Sequence, residues 1–384
     1  CETFVTQKNI EKKIKEAPLC SSCQRPTQFV SEKTYFFRLS VYQEKLLQFY
    51  RDNPDFIVPK ERFNEVIRFV EAGLRDLSIS RTTVQWGIPF PDDPTHTIYV
   101  WVEALCNYIT AIGYGDPKKQ IEFNRWWPAN LHIIGKDIIR FHAIYWPAFL
   151  MAANLAPPKQ ILVHGWIKVN KQKMSKSLGN VIDPVFLYDA YGPEPVRYFL
   201  LRQVPVNQDG EFSTGDLEHC IEADLANDLG NLLQRMAALA QKYKIVELEA
   251  PKIWSEQSIH LRDESLNMIE DFNNYMQNYV FHVALARLWQ FIKQVNSYFH
   301  AQEPWKLALN NKKKFLEVLA ATCHSLRTIA ILLWPVMPHK MEQLLSSLGI
   351  SFQLENDTIK KWALGTWNKQ FKIKKIAPLF KKPI

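Results

Sequence analysis

The segment KQKMSKSLGN, residues 171–180, sets Lys171, Lys173 and Lys176 among Ser175, Ser177 and Gly179, just after the apolar run ILVHGWIKV. Ammonium groups on a small-residue loop at the end of a buried strand suit one chemistry. They can meet the negative charge that develops on a phosphate leaving group and so lower the barrier to its departure. The serines and Gly179 let the backbone approach phosphate and let the loop move. The plain alternative is a solvated basic loop.

Other residues carry paired readings. Asp137 follows IIGK at a helix start, where a carboxylate is favoured by the helix terminus alone. Phe141, His142, Tyr145 and Trp146 follow it on one broad helical face. Such a stripe is usually core, although a flexible thioether also favours aromatic edges. Asn231 and Arg235 are neighbours on a helix, either a surface pair or a pair of hydrogen-bonding groups. Trp305 in QEPWKLA either packs a helix start or offers a ring to an unpaired base. Cys20 and Cys23 form half a zinc knuckle that Cys1 could extend, or they are two surface thiols.

These residues need a scaffold. TIYVWV, NLHIIG and QILVHGW read as short strands, and EALCNYITAIG and KDIIRFHAIYWPAFLMAANL as helices between them. That alternation predicts a parallel sheet covered on both faces. Ligands of such sheets bind beyond the carboxyl ends of the strands. Residues 101–108, 135–146 and 164–180 are therefore expected to converge. From about residue 221 onward, apolar residues recur at helical spacing, which predicts a helix bundle.

The 384 residues suggest two or three domains. A formal charge of +8, from 47 basic and 39 acidic residues, favours a polyanionic partner. From Thr358 onward there are eight lysines and no acid. The apolar run TIAILLWPVM is shorter than a membrane span and contains a proline, so no membrane is expected. Six scattered cysteines fit a reducing compartment, read as the cytoplasm. The first residues are polar, without the apolar core of a secretory leader or an initial methionine, so the chain reads as the later part of a longer protein.

KMSKS, Lys173 to Ser177, resembles the signature loop of class I aminoacyl-tRNA synthetases. SISRTTVQWGIP, YVWVEALCNY, HIIGKDIIRFHAIYWPAFLMAANL, HGWIKVNKQKMSKSLGN, DPVFLYDAYGPEPVRYFLLRQV and DLANDLGNL extend the resemblance, over nearly the whole chain, to the methionyl-tRNA synthetases of that class. The resemblance implies methionine, ATP with Mg2+, and tRNA(Met) as substrates, with methionyl-adenylate between the two steps. It implies an α/β fold: the C-terminal half of a Rossmann-like parallel-sheet catalytic domain with a connective insertion, followed by an all-α helix-bundle anticodon-binding domain. The expected divisions are residues 1–97 for the insertion, 98–172 for the sheet, 173–220 for the loop and stem-contact region, and 221–384 for the bundle.

Residue roles follow from the same resemblance. Lys173 and Lys176 stabilise phosphate charge, with Arg81 of SISRTT near ATP. Gly135, Asp137 and Ser177 join the lysines at the adenylate, Asp137 on its ribose. Trp101, Tyr108, Phe141, His142, Tyr145 and Trp146 form the methionine pocket, Tyr108 and His142 approaching the sulfur. Asn231, Arg235 and Trp305 read the anticodon. Cys1, Cys20 and Cys23 bind structural zinc. One departure stands out: the family's early HIGH-type tetrapeptide is absent, and HIIG at 132–135 is a lookalike at a late strand. The first half of the catalytic sheet is thus expected to lie outside this chain, which alone would not catalyse normally. Two other readings stay open, a non-catalytic tRNA-binding fragment and a sister synthetase for valine, leucine or isoleucine, although Trp101, Tyr108 and His142 favour methionine. The expected state is a monomer.

Overall fold

The computed structural model describes residues 10–14, 17–20, 26–27, 32–174, 179–351 and 367–382. Packing divides the chain into two units, Cys1–Val163 and His164–Ile384.

In the first unit a three-stranded sheet runs in the order Ile57–Val58, Ile161–His164, His132–Gly135. Ile161 and Leu162 pair in parallel with Ile57 and Val58. Ile161, Leu162 and Val163 are all buried, as an uninterrupted apolar run in a parallel sheet should be. The helices Gln43–Asp52 and Lys60–Glu71 turn Leu46, Leu47 and Tyr50, and Phe63, Val66 and Val70, into the same core. That core draws on residues from Leu39 to Val163, on both sides of position 97. An antiparallel hairpin, Ile10–Ile14 with Ala17–Cys20, precedes it.

Two of the three expected strands, in NLHIIG and QILVHGW, belong to the parallel sheet. TIYVWV does not. The strand Asp93–Ile98 pairs antiparallel with Ser80–Arg81 and Pro89–Phe90, and the helix Val100–Thr110 has begun before Trp101. The β-branched and aromatic composition resembles a strand, but Trp101, Leu105, Tyr108 and Ile109 keep helical spacing, and burial of Leu105 and Ile109 decides the outcome.

The expected helix after Gly135 runs unbroken to Ala152, with a hydrogen-bond pattern that changes along its length. A 3-10 turn at Lys136–Ile138 leads to a π-helical turn at Phe141–Tyr145 and then to the α-helix Trp146–Ala152. Pro147 bears on the π-helical turn before it. It has no N–H for the Ala143 carbonyl, which accepts instead from the buried Tyr50 hydroxyl at 2.7 Å.

The second unit begins with a hairpin, Ile167–Val169 against Gln172–Lys173. Its turn residues, Asn170 and Lys171, both take positive φ (52° and 61°), the geometry of the tightest hairpin turns. The strand Gly210–Glu211 pairs in parallel on the other side. Gly165 allows this crossing, because a Cβ there would lie 2.0 Å from the Gln208 carbonyl oxygen. Next come the helices Pro184–Tyr191 and Pro193–Gln203 and, after Ser213, the bundle. Its main members are Asn231–Lys242, Glu256–Gln277, Phe281–Ala301 and Lys312–Leu333. The last is long and apolar enough for a membrane span, yet 94% of that window is buried inside the protein. In the part of the basic C-terminal stretch that is described, Trp367, Phe371, Leu379 and Phe380 are buried in the bundle core.

Candidate functional site

The π-helical turn gathers aromatic rings in the first unit. Phe141 stacks on Trp101 at 3.8 Å between centroids, nearly parallel at 13°. Phe141 also meets Tyr145 edge-on at 5.4 Å. The Tyr108 hydroxyl lies 2.9 Å from His142 Nε2, and His142 Nδ1 lies 3.0 Å from the Ile138 carbonyl. Burial holds His142 below the usual imidazole pKa. Trp146 lies deeper, at 1% exposure, among Leu105, Ile109, Phe123 and Trp127. The result is an aromatic site with one neutral hydroxyl–imidazole pair, suited to a soft apolar group.

His132 belongs to this cluster and escaped the sequence reading. Its ring lies 4.2 Å from Tyr108 and 6.2 Å from His142. Burial, with His142 beside it, pushes its pKa down to about 4. Its Nδ1 has no hydrogen-bond partner among the described residues. The available signal was strand alternation, which sets His132 and Ile134 on the inner face of HIIG.

Gly135 ends its strand in extended conformation, and Asp137 stands exposed in the 3-10 turn beyond it, at the carboxyl end of a parallel strand. Arg81 is anchored on the antiparallel sheet, with its guanidinium 4.2 Å over the Tyr99 ring and 2.7 Å from both Ser78 Oγ and the Ser80 carbonyl.

The lysine loop lies in the second unit. Lys173 is exposed, with its ammonium 4.3 Å over the Trp166 ring. Asn180 Nδ2 donates to the Lys173 carbonyl at 3.2 Å and so ties the two ends of the loop together. Gly179 takes φ of 66°, which favours glycine. Lys176 and Ser177 lie outside the described residues, as do Cys1 and Cys23, and the Cys20 side chain is likewise undescribed. Among the described residues, no group of three ligating side chains could hold a metal.

In the bundle, the helix Phe281–Ala301 joins the expected RNA-reading residues. Arg235 hydrogen-bonds to Asn296 and lies 5.7 Å over Phe299. The next residue, His300, meets Trp305 at 5.7 Å. Asn231 opens the helix carrying Arg235, directly after a second π-helix, Ile221–Gly230. Both candidate sites thus adjoin π-helical turns, which are frequent at functional positions. Asn296, Phe299 and His300 were missed, although their spacing marks one helix face.

Residues 2–237 match the family of tRNA synthetases class I (M). The chain belongs to that family. Residues 260–376 match the anticodon-binding domain of tRNA ligases. Among similar synthetases, the methionine–tRNA ligase of Thermotoga maritima is 42% identical over 95% of this chain and 58% of its own length. That of Brucella suis is 47% identical over 85% of this chain and 63% of its own. The chain therefore spans about three fifths of these relatives. The Mycobacterium tuberculosis methionyl-tRNA synthetase in complex with methionyl-adenylate superposes with a TM-score of 0.90, at 40% identity, over 99% of this chain and 74% of that one. A Rossmann-like catalytic unit with a parallel sheet and a helical anticodon domain is thus the architecture of this class I synthetase chain.

Proposed function

We propose that the protein ligates methionine to tRNA(Met) in two steps, and that this chain holds the methionine pocket, the lysine loop and the anticodon-reading surface. The methionine carboxylate attacks the α-phosphate of ATP, which arrives as its Mg2+ complex, and pyrophosphate leaves. A terminal ribose hydroxyl of tRNA then attacks the acyl carbon, and AMP leaves. The observation that carries the reading is the Tyr108–His142 pair beside the stacked Trp101 and Phe141. It offers a thioether aromatic surfaces and one neutral polar contact. A pocket for valine, leucine or isoleucine has no use for that contact.

Lys173 and Lys176 neutralise charge on the departing pyrophosphate, where groups that act mainly in the transition state are most effective. Arg81 assists at ATP, Gly135 and Asp137 receive the ribose, and Ser177 completes the phosphate contacts. Asn231, Arg235 and Trp305 read unpaired anticodon bases by edge contacts and stacking, the usual basis of single-stranded RNA recognition. A structural zinc held by Cys1, Cys20 and Cys23 with one further ligand also belongs to this proposal, as do a cytoplasmic location and a monomeric state. Metal analysis of the full-length protein tests the zinc, and loss of metal on Cys20→Ser is expected.

The deciding experiment is amino-acid-dependent exchange of pyrophosphate into ATP by the full-length protein, with each of the twenty amino acids. Exchange with methionine alone is expected. Exchange driven by valine, leucine or isoleucine would overturn the assignment, and none with any amino acid would favour a non-catalytic tRNA-binding role.

A further inference from the structure

Arg235 and Asn296 stand on neighbouring helices, Asn231–Lys242 and Phe281–Ala301. The Asn296 side chain makes three hydrogen bonds at once. Its Nδ2 donates to the Asp228 carbonyl in the second π-helix and to the Ile292 carbonyl one turn back, each at 3.1 Å. A carbonyl oxygen only accepts, so the amide cannot turn over, and Oδ1 must face away from both. That oxygen accepts from a terminal nitrogen of the Arg235 guanidinium. The two carbonyls behind Asn296 therefore set the direction in which Arg235 is held.

The choice of an amide matters. Arg235 is exposed, and an exposed arginine ordinarily gives up many rotamers when it binds a partner. Here the side chain is fixed in advance by Asn296 and by the Phe299 ring. At 5.7 Å the ring is near the outer limit of a cation–π contact, so the amide does most of the holding. Among the described residues, no carboxylate pairs with Arg235. A carboxylate in place of Asn296 would hold the guanidinium equally well, but it would cancel the charge and take up two of the five donors. The neutral amide takes one donor and leaves the rest of the fork and the whole charge for a ligand.

We propose that Asn296 is the positioning residue of the anticodon surface, aiming the Arg235 guanidinium so that its remaining N–H donors meet the acceptor edge of one unpaired base. The proposal rests on the tRNA-binding reading above and adds to it a residue that need not touch RNA. A fixed planar fork bonds acceptors in pairs, which suits the edge of a splayed base.

The test is a double-variant cycle in the full-length enzyme, with Asn296→Ala and Arg235→Ala singly and together. Asn296→Ala should raise the KM for tRNA about 2- to 12-fold, the usual worth of one hydrogen bond, with methionine-dependent pyrophosphate exchange unchanged. Arg235→Ala should raise it more, and adding Asn296→Ala to Arg235→Ala should raise it no further. A mere brace between helices would cost the same in both backgrounds. Abasic substitution through the anticodon loop should find one base whose contribution to wild-type binding shrinks in Asn296→Ala and vanishes in Arg235→Ala. Asn296→Ala also strips a donor from the Asp228 and Ile292 carbonyls, so Asn296→Ser serves as a second variant. Its hydroxyl can bond back to the Ile292 carbonyl within the helix, but it is one atom shorter and leaves the guanidinium without its acceptor. It should melt as wild type does and show the same rise in KM. A wild-type KM for Asn296→Ser, or losses that multiply in the cycle, would overturn the positioning role, while an impaired Arg235→Ala would keep the anticodon reading. A wild-type KM for Arg235→Ala would overturn both. If Arg235→Ala lowers the slope of log affinity against log salt by about 0.7 and leaves every abasic penalty unchanged, the guanidinium meets a phosphate, and the base contact is overturned.

Discussion

Tyr108 donates its hydroxyl hydrogen to His142. The carbonyl of Ile138 can only accept, so the Nδ1 that faces it at 3.0 Å carries the imidazole proton. Nε2 is left as the acceptor, 2.9 Å from the Tyr108 oxygen. Burial keeps the ring neutral. The pair is therefore polarised one way, from the Tyr108 hydroxyl through the imidazole to the Ile138 carbonyl.

Tyr108→Phe removes that contact and leaves Nε2 of His142 without its donor. The expected effect is a methionine KM raised about 5- to 15-fold, roughly 1–1.5 kcal/mol, with the KM for ATP unchanged. Steady-state pyrophosphate exchange at varied methionine and then varied ATP reads both. A methionine KM equal to wild type would take the pair out of substrate recognition.

Lys176→Ala in the full-length enzyme should slow adenylate formation much more than it weakens methionine binding. A contact made mainly in the transition state is worth about 2–4 kcal/mol, so kcat for exchange should fall roughly 30- to 900-fold. Lys173→Ala should fall less, because the Lys173 ammonium rests on the Trp166 ring in this structure. Rapid-quench measurement of adenylate formation, paired with methionine titration, separates rate from affinity. A normal rate with weakened methionine binding contradicts the role given to the loop.

Much of this site was legible because its residues keep simple periods. Asp137, Phe141 and His142 follow a strand whose apolar run is unmistakable, and Asn231 and Arg235 sit one helical turn apart. Composition misled at YVWV, where β-branched and aromatic residues turned out to start a helix, because the residues that must be buried keep a period of 3.6. Ile57–Val58 was missed because a strand of two residues ahead of a proline leaves no alternation to read. The π-helical turn was invisible because its backbone stays helical and only the hydrogen-bond pattern shifts, ahead of Pro147. His132 was hidden by tertiary packing: nothing in HIIG tells that Tyr108, from a separate helix, will lie against its ring.

Acidification should destabilise the protein between pH 6.5 and 4. His132 and His324 are buried and neutral, with pKa values pushed down to about 4 and about 3, chiefly by burial. The unfolded chain then binds protons first as pH falls below the ordinary histidine value. Stability is full above that value and is lost as pH drops towards the folded one. Each histidine contributes on the order of 3 kcal/mol across that window. His324 gives the cleaner test. Trp254, Trp367 and Phe371 surround its ring, and neither ring nitrogen has a hydrogen-bond partner among the described residues. His324→Phe should keep the packing and flatten the pH dependence. Urea unfolding at several pH values reads the slope, and parallel curves for the two proteins would rule out His324 as its source.

Trp305→Ala should impair aminoacylation of tRNA while leaving methionine activation nearly intact. The indole is 37% exposed, touches His300 at 5.7 Å, and sits in the first turn of the helix Pro304–Asn310. Exposure on that scale lets a base stack on it at little cost to the fold. Losing a base–aromatic stack typically costs about 1–3 kcal/mol, a roughly 5- to 150-fold loss in the tRNA step. Trp289 supplies the contrast within the same bundle, because it is buried against Tyr198 at 4.5 Å. Its truncation should cost about 3–5 kcal/mol of folding stability and harm both half-reactions together. Measuring pyrophosphate exchange, aminoacylation and thermal unfolding for the two variants side by side separates recognition from packing. If Trp305→Ala behaves like Trp289→Ala, with both reactions lost and the melting temperature collapsed, Trp305 is a packing residue and the RNA surface must be sought around Asn231 and Arg235 alone.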